Sequence, residues 1–327
     1  MFKRIRHPEL YQGVHKKTNY FEGWYYKLVS KTHDVTLALI PGISLNKKDP
    51  HAFIQVFISQ KNQGEHTLTT RYFRYAISAF IPQEQPFSIA IDQNFFSKEK
   101  IELHLNDHDI KLNGVIMLHH LTPLKTSLYA PNIMGPFAYL NFMECYHGVV
   151  SMNHMLSGSV TLNQKTIDFH QGKGYIEKDW GKSFPRAYVW LQSNHFSDAS
   201  TSFMFSYADI PFGKRYFKGL IVNVVIGQKE YRFATYNRAK VIREDIQNNR
   251  VHYQIKKGKY MLDIKAHSMI ETSLASPKNG EMINQIKEGL SGEVAITLYQ
   301  GKDVLYEDTG YHAGIEIMKA YNHQKPV

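Results

Sequence analysis

The chain has 327 residues, 43 % of them hydrophobic and 21 % charged. That is enough for two ordinary domains or one large one, and it excludes wholesale disorder. One cysteine, Cys145, excludes an internal disulfide framework and any multi-cysteine metal site. The net charge of +10 comes without a long Lys/Arg run, so it reads as solubility and no nucleic-acid partner is expected. No apolar run approaches the ~18–20 residues of a membrane span. Met1 to Lys17 is basic and lacks the apolar core of a signal peptide. The expectation is a cytoplasmic protein whose membrane contact, if any, is peripheral, through Lys3, Arg4, Arg6, Lys16 and Lys17 on an anionic surface.

Period-two alternation dominates the chain. Val35 to Ile40 stops at Pro41-Gly42, and His51 to Ile58 stops at a turn around Asn62-Gln63-Gly64. Thr70 to Phe80, Phe87 to Ile91, Ile101 to Leu105 and Ile110 to Leu118 alternate in the same way, as do Ala187 to Gln192, Ser202 to Tyr207, Leu220 to Ile226 and Tyr231 to Tyr236. Val251 to Ile255 and Tyr260 to Ile264 flank a Lys-Gly turn as a hairpin. Many short strands divided by turn residues predict an all-β sandwich or barrel with few helices. The best helical spacing is Gly280 to Leu290, with Met282, Ile283, Ile286 and Leu290 apolar. Aromatics at 13 % suit pleated sheets, and equally a cavity that wraps an apolar ligand.

The chain also repeats itself. Ser157-Gly158-Ser159-Val160 leads to Gly174-Tyr175-Ile176-Glu177, and Ser291-Gly292-Glu293-Val294 leads to Gly310-Tyr311, with Glu316 soon after. With the length, this predicts two related β-domains, 1–165 and 166–327.

Several familiar patterns fail. Gly181-Lys182-Ser183 resembles the end of a phosphate loop, but Ile176 stands where its first glycine belongs. There is no Gly-x-Ser-x-Gly and no His-Glu-x-x-His. The histidines at 119, 120, 147, 154 and 170 have no spacing specific to a metal.

One set of blocks holds. Residues 20–27 read Tyr-Phe-Glu-Gly-Trp-Tyr-Tyr-Lys, and residues 172–185 read Gly-Lys-Gly-Tyr-Ile-Glu-Lys-Asp-Trp-Gly-Lys-Ser-Phe-Pro. Trp190-Leu191-Gln192-Ser193-Asn194 follows, and Phe142-Met143-Glu144-Cys145-Tyr146-His147 lies between the first two. In order and spacing these resemble the tocopherol cyclase family, with Asp179 where the family usually has Asn. The resemblance implies a pair of lipocalin-like β-barrel domains and a kinship with carotenoid hydratases and lipocalin-like pericyclases. It also implies a cofactor-free reaction of the type that closes a chromanol ring on a prenylated hydroquinone.

Such a closure protonates an alkene, and a phenol oxygen captures the resulting cation. It needs a carboxyl kept protonated by burial, electron-rich rings and a dry pocket. Glu177 between Tyr175 and Trp180 is the expected acid. Asp179 lies on the same face if the segment is a strand, and an ion pair of Glu177 with Lys178 or Lys182 is the structural alternative. Trp180 and Trp24 are the expected cation-facing rings, or else plugs of the barrel ends. Glu144 and His147 are expected near the phenol or a water, and Tyr175, Trp190, Gln192 and Asn194 near the ligand. Glu22 is a further contact, or a hydrogen-bonding anchor at the domain junction. The reading from another class is a lipocalin-like carrier that binds a hydrophobic small molecule without turning it over.

Overall fold

The computed structural model describes residues 2–62, 65–212 and 215–318. The turn expected at Asn62-Gln63-Gly64 falls partly on residues 63–64, outside that set. Among the described residues there is one short α-helix, Phe2–Arg6, and two large antiparallel sheets of 12 and 10 strands. Among the described residues no helix is long and apolar enough to cross a membrane.

Six strands organise both sheets: β1 (Tyr20–Val29), β2 (Cys145–Leu162), β3 (Lys173–Gly181), β4 (Tyr188–Ser193), β5 (Glu281–Gln300) and β6 (Asp303–Met318). In the first sheet β3 lies between β1 and β2. Beyond β1 come Val35–Leu45, His51–Asn62 and Glu65–Ala76. In the second sheet β6 lies between β4 and β5, and beyond β4 come Ser202–Phe212, Arg215–Ile226 and Lys229–Ala234. The two orders correspond over the shared strands, the first sheet running on by two more, so the halves repeat one lipocalin-like β topology. The repeated sequence blocks fall on equivalent strands, β2 with β3 and β5 with β6.

Two sequence expectations are corrected. The segment 166–181, placed in the second half, completes the first sheet, because β3 pairs with β1 and β2. The change of sheet lies between Gly181 and Tyr188. Residues 281–290, read as a helix, are the start of β5, and they pair with Thr272–Lys278. Asn279 and Gly280 turn the chain in left-handed conformations (φ 51° and 79°). The ladder then decides the backbone, because sheet pairing overrides a short helical spacing. The expected Lys-Gly hairpin joins Arg250–Lys257 to Tyr260–His267, with Gly258 at φ 56°.

Successive side chains leave a strand on opposite faces. In β1, Trp24, Tyr26 and Leu28 enter the core of the first sheet, and Tyr25 enters a cluster between the sheets. In β3, Ile176 and Trp180 enter the first core and Tyr175 the shared cluster. In β4 and β6, Val189, Leu191, Ala313 and Ile315 fill the second core, whereas Tyr188 and Trp190 face the first sheet. The sheets therefore meet through a third core, completed by Ile133, Met134, Ala138 and Met143 of the connection before β2.

Lys178 follows the same alternation into the first core. It and Glu22 are both 0 % exposed in their side chains, and they form an ion pair. Lys178 Nζ also donates to Leu10 O at 2.5 Å and lies 4.4 Å from the Trp24 ring and 4.9 Å from the Trp180 ring. Glu22 accepts further hydrogen bonds from Tyr20 Oη and from the backbone of Gln12 and Gly13. Removing one partner of such a pair strands a buried charge, at a cost of about 3–5 kcal/mol. Lys178→Met is expected to lower the urea midpoint by that equivalent, and Glu22→Gln added to it to restore a large part. Equal midpoints for the wild type and Lys178→Met would show that the pair does not support the fold.

Candidate active site

An apolar cavity lies between the sheets. Phe21, Phe53, Met143, Phe184, Tyr188 and Trp190 are among the side chains lining it. Its volume is about 160 Å³, comparable to cavities that take one benzene-sized group. Tyr25, His147, Glu177, Asp179 and Glu316 bring polar groups to its wall.

The alternation of β3 places Glu177 and Asp179 on the cavity face. Their neighbour on β2 is His147, opposite Asp179 in the ladder. His147 Nδ1 is 2.8 Å from Asp179 Oδ1, and His147 Nε2 is 3.4 Å from Glu177 Oε2. Burial opposes a charge on this ring, but the two carboxylates outweigh it and hold the imidazole protonated up to about 10. Glu177 Oε2 also accepts from Tyr175 Oη at 2.5 Å and from Trp190 Nε1 at 3.2 Å. Glu177, expected from sequence to be the acid, accepts both of these hydrogen bonds through one oxygen. Its basic partner is His147, because Lys178 is engaged by Glu22.

The second sheet contributes two more carboxyls. Glu316 on β6 and Glu288 on β5 stand directly opposite each other in the ladder. Tyr188 Oη donates to Glu316 Oε2 at 2.6 Å, and Tyr25 Oη donates to Glu288 Oε1 at 2.8 Å. Burial raises Glu288 to about 7 and, with the repulsion of Glu288, raises Glu316 well above the ordinary carboxyl range. Lys27 on β1 is fully buried and donates to Gln192 Oε1 at 2.8 Å. Burial lowers it to about 7 against the pull of Glu288 and Glu177. Each sheet supplies a donor to the other: Tyr25 of the first serves Glu288, and Trp190 of the second serves Glu177. The two rings meet edge to face at 5.5 Å. Gly314 on β6 makes room for this, since a Cβ there would sit 2.7 Å from Trp190 Cζ3.

The site brings Glu177, Asp179, His147, Tyr175 and Trp190 together. It does not include Trp24, Trp180 or Glu22. Their even-numbered places in β1 and β3 send them to the first core, where Trp24 and Trp180 flank Lys178. Gln192 is buried beside Lys27, away from the cavity lining, and Asn194 ties the sheets by donating to Gly174 O at 2.8 Å. Glu144 does not line the cavity, although the next residues, Cys145, Tyr146 and His147, do. Glu288, Tyr25 and Lys27 were not singled out from sequence, and Glu316 was noted only as part of the repeat. The repeat was the available signal, since Glu316 follows Gly310-Tyr311 on its strand as Glu177 follows Gly174-Tyr175, at five residues from the tyrosine where Glu177 is at two. For a cation, His147, Glu177 and Asp179 offer ligand atoms within 4.8 Å of one another. A protonated imidazole between the two carboxylates offsets one of their two charges.

Fold and site together define a duplicated lipocalin-like β-protein with an acid-lined apolar cavity between its halves. The profile of the tocopherol cyclase-like family matches residues 127–318, more than half of the chain, and the protein belongs to that family. Over 106 residues it is 26 % identical to a protein of Oryza sativa subsp. japonica named "Probable tocopherol cyclase, chloroplastic". That match covers 31 % of this chain and 23 % of the rice protein. Among solved structures it resembles CghA with Sch210972 (TM-score 0.59, 7 % identity, 92 % of this chain and 89 % of that one). It also resembles kievitone hydratase from Nectria haematococca (TM-score 0.52, 10 % identity, 95 % and 93 %). At these identities the likeness is one of fold.

His147 makes stability depend on pH. Its value in the folded state lies above its ordinary 6.5. The ion pairs therefore contribute in full below pH 6.5, and their contribution is lost as pH rises through about 10. The gap in Tm between the wild type and His147→Gln is expected to be widest near pH 6 and to narrow steadily toward pH 10. A gap that stays constant over that range would contradict the protonated assignment.

Proposed function

We propose that the protein is a cofactor-free cyclase or hydratase that protonates an alkene of a lipophilic, prenyl-type substrate in the cavity between the sheets. The observation that carries this reading is the pairing of an apolar cavity with carboxyls in two distinct environments on its wall. Glu177 and Asp179, with the His147 imidazolium, present an acceptor-rich charged group. Glu316 presents a carboxyl whose neutral form burial favours. Titratable groups pushed apart by their surroundings are the arrangement that acid–base chemistry near neutral pH requires.

In the proposed reaction a carboxyl O–H gives its proton to the less substituted alkene carbon. The π electrons form the new C–H bond and leave a tertiary cation. Glu177, with Tyr25 and Trp190 around it, supplies negative charge and ring faces to that cation. A phenol oxygen on the same molecule, or a water, then forms the C–O bond. Its proton goes to the carboxylate, so the enzyme is restored with no oxidant or reductant. The cavity accepts one ring-sized group, so the reacting head lies inside and a longer chain extends toward the surface. The family and the fold support this chemistry, and the substrate is left to experiment.

Mass spectrometry of organic extracts of the purified protein identifies co-purifying lipids to be used as substrate probes. With such a probe, Glu177→Gln keeps shape and removes the negative charge. It is expected to lower turnover by about 10²–10³-fold while binding changes little. Full turnover by Glu177→Gln would remove Glu177 from the chemistry. Tight binding with no turnover by the wild type would favour a carrier.

A further inference from the structure

We infer that Glu316 and Glu288 form a pair that shares one proton and that Glu316 is the group that delivers it into the cavity. The inference deepens the proposed function and rests on it for the word catalytic. The shared proton stands on the geometry alone.

Cross-strand partners in an antiparallel ladder have Cβ atoms about 4.5–5.5 Å apart, and like charges directly opposite each other repel. Glu288 and Glu316 are such partners on β5 and β6. Glu288 is fully buried and Glu316 is half-buried on the cavity wall, so ionising both at that separation is disfavoured and one retains a proton. The surroundings agree. Glu288 is 0 % exposed, and its Oε1 accepts from Tyr25 Oη while its Oε2 has no partner. A buried carboxylate oxygen without a donor is costly, and a proton held between the two side chains removes that cost. Glu316 accepts from Tyr188 Oη through Oε2 and lines the cavity. It is the member of the pair that a bound substrate can touch, and Glu288 is its positioning residue.

The charged groups facing the pair fit this division. Glu177 and Asp179 on β3 raise Glu316, whereas Lys27 on β1 stabilises the charge of Glu288. The negative charge left when the proton departs therefore settles on the Glu288 side, next to Lys27. Delivery breaks the Glu316 O–H bond and forms the substrate C–H bond. The proton released when the C–O bond forms returns to Glu316.

Infrared spectroscopy tests this on the full chain without a substrate. At about pH 8 a lone Glu288 has largely released its proton, while a shared proton remains. A protonated-carboxyl C=O stretch, identified by its shift in D2O, is expected in the wild type and in Glu177→Gln and is expected to be lost in Glu316→Gln. Glu288→Gln removes the repulsion and is expected to move loss of the band to lower pH by about one unit or more. Where a co-purified substrate is available, Glu316→Gln is expected to lose turnover by about 10²–10⁴-fold and keep binding. Absence of the band in the folded wild type at about pH 8, or its persistence in Glu316→Gln, would overturn the shared proton. If Glu316→Gln does not fold, the wild-type band followed upward in pH decides alone. A band that behaves as expected beside full turnover in Glu316→Gln would keep the shared proton and remove Glu316 as donor. Full turnover in Glu177→Gln bears only on the function proposed for the cavity.

Discussion

A β-strand must send successive side chains to opposite faces, and here both faces of β1, β3 and β4 are buried, as is part of β6. β1, β3, β4 and β6 each divide their residues between the core of their own sheet and the interface between sheets. Everything chemical about the molecule follows from that division. In β3 the odd positions Tyr175, Glu177 and Asp179 belong to the interface, and the even positions Ile176, Lys178 and Trp180 belong to the first core. A slip of one residue in register would exchange the two sets and put Lys178 and Trp180 in the cavity.

Burying charge on both faces calls for two different solutions. In the first core, Glu22 and Lys178 neutralise each other, and their remaining hydrogen-bonding capacity is filled by Tyr20, Leu10 and the backbone of Gln12 and Gly13. This is a closed network that pins the N-terminal segment to the sheet. At the interface the acids outnumber the bases. Glu177, Asp179, Glu288 and Glu316 face only His147 and Lys27. Phenols and an indole make up part of the difference, with Tyr175, Trp190, Tyr25 and Tyr188 each donating to a carboxylate. The imbalance sets one carboxyl against another, and a site able to move protons needs that inequality.

Duplication explains how so many acids came together. β3 and β6 occupy the same place in their sheets, and each carries a glutamate on the cavity wall: Glu177 opposite Tyr25 on the adjoining strand, Glu316 opposite Trp190. Stacking the two sheets brings both glutamates to one cavity, and aromatic donors are exchanged between halves. The cavity is therefore a property of the packed pair of sheets.

The sequence by itself determined the strands, because period two and turn residues are local, and it determined the blocks that carry Glu177, Asp179, His147 and Trp190. It misread residues 281–290, whose helical spacing gives way to a hairpin with the preceding strand across the Asn279-Gly280 turn. It placed 166–181 in the second half because the partner β1 is distant in the chain. It correctly linked Tyr175, Glu177 and Asp179 to one face, since alternation within a strand needs no tertiary knowledge. It could not say which face of β1 or β3 met the second sheet, so Trp24 and Trp180 were drawn to the ligand and Tyr25 was passed over. Only the tertiary structure decided that Glu288 stands across from Glu316, or that Tyr25 reaches Glu288 from 263 residues away. Pairing and packing between segments far apart in the chain leave no local pattern, and the proton inventory of the cavity is made of such pairings.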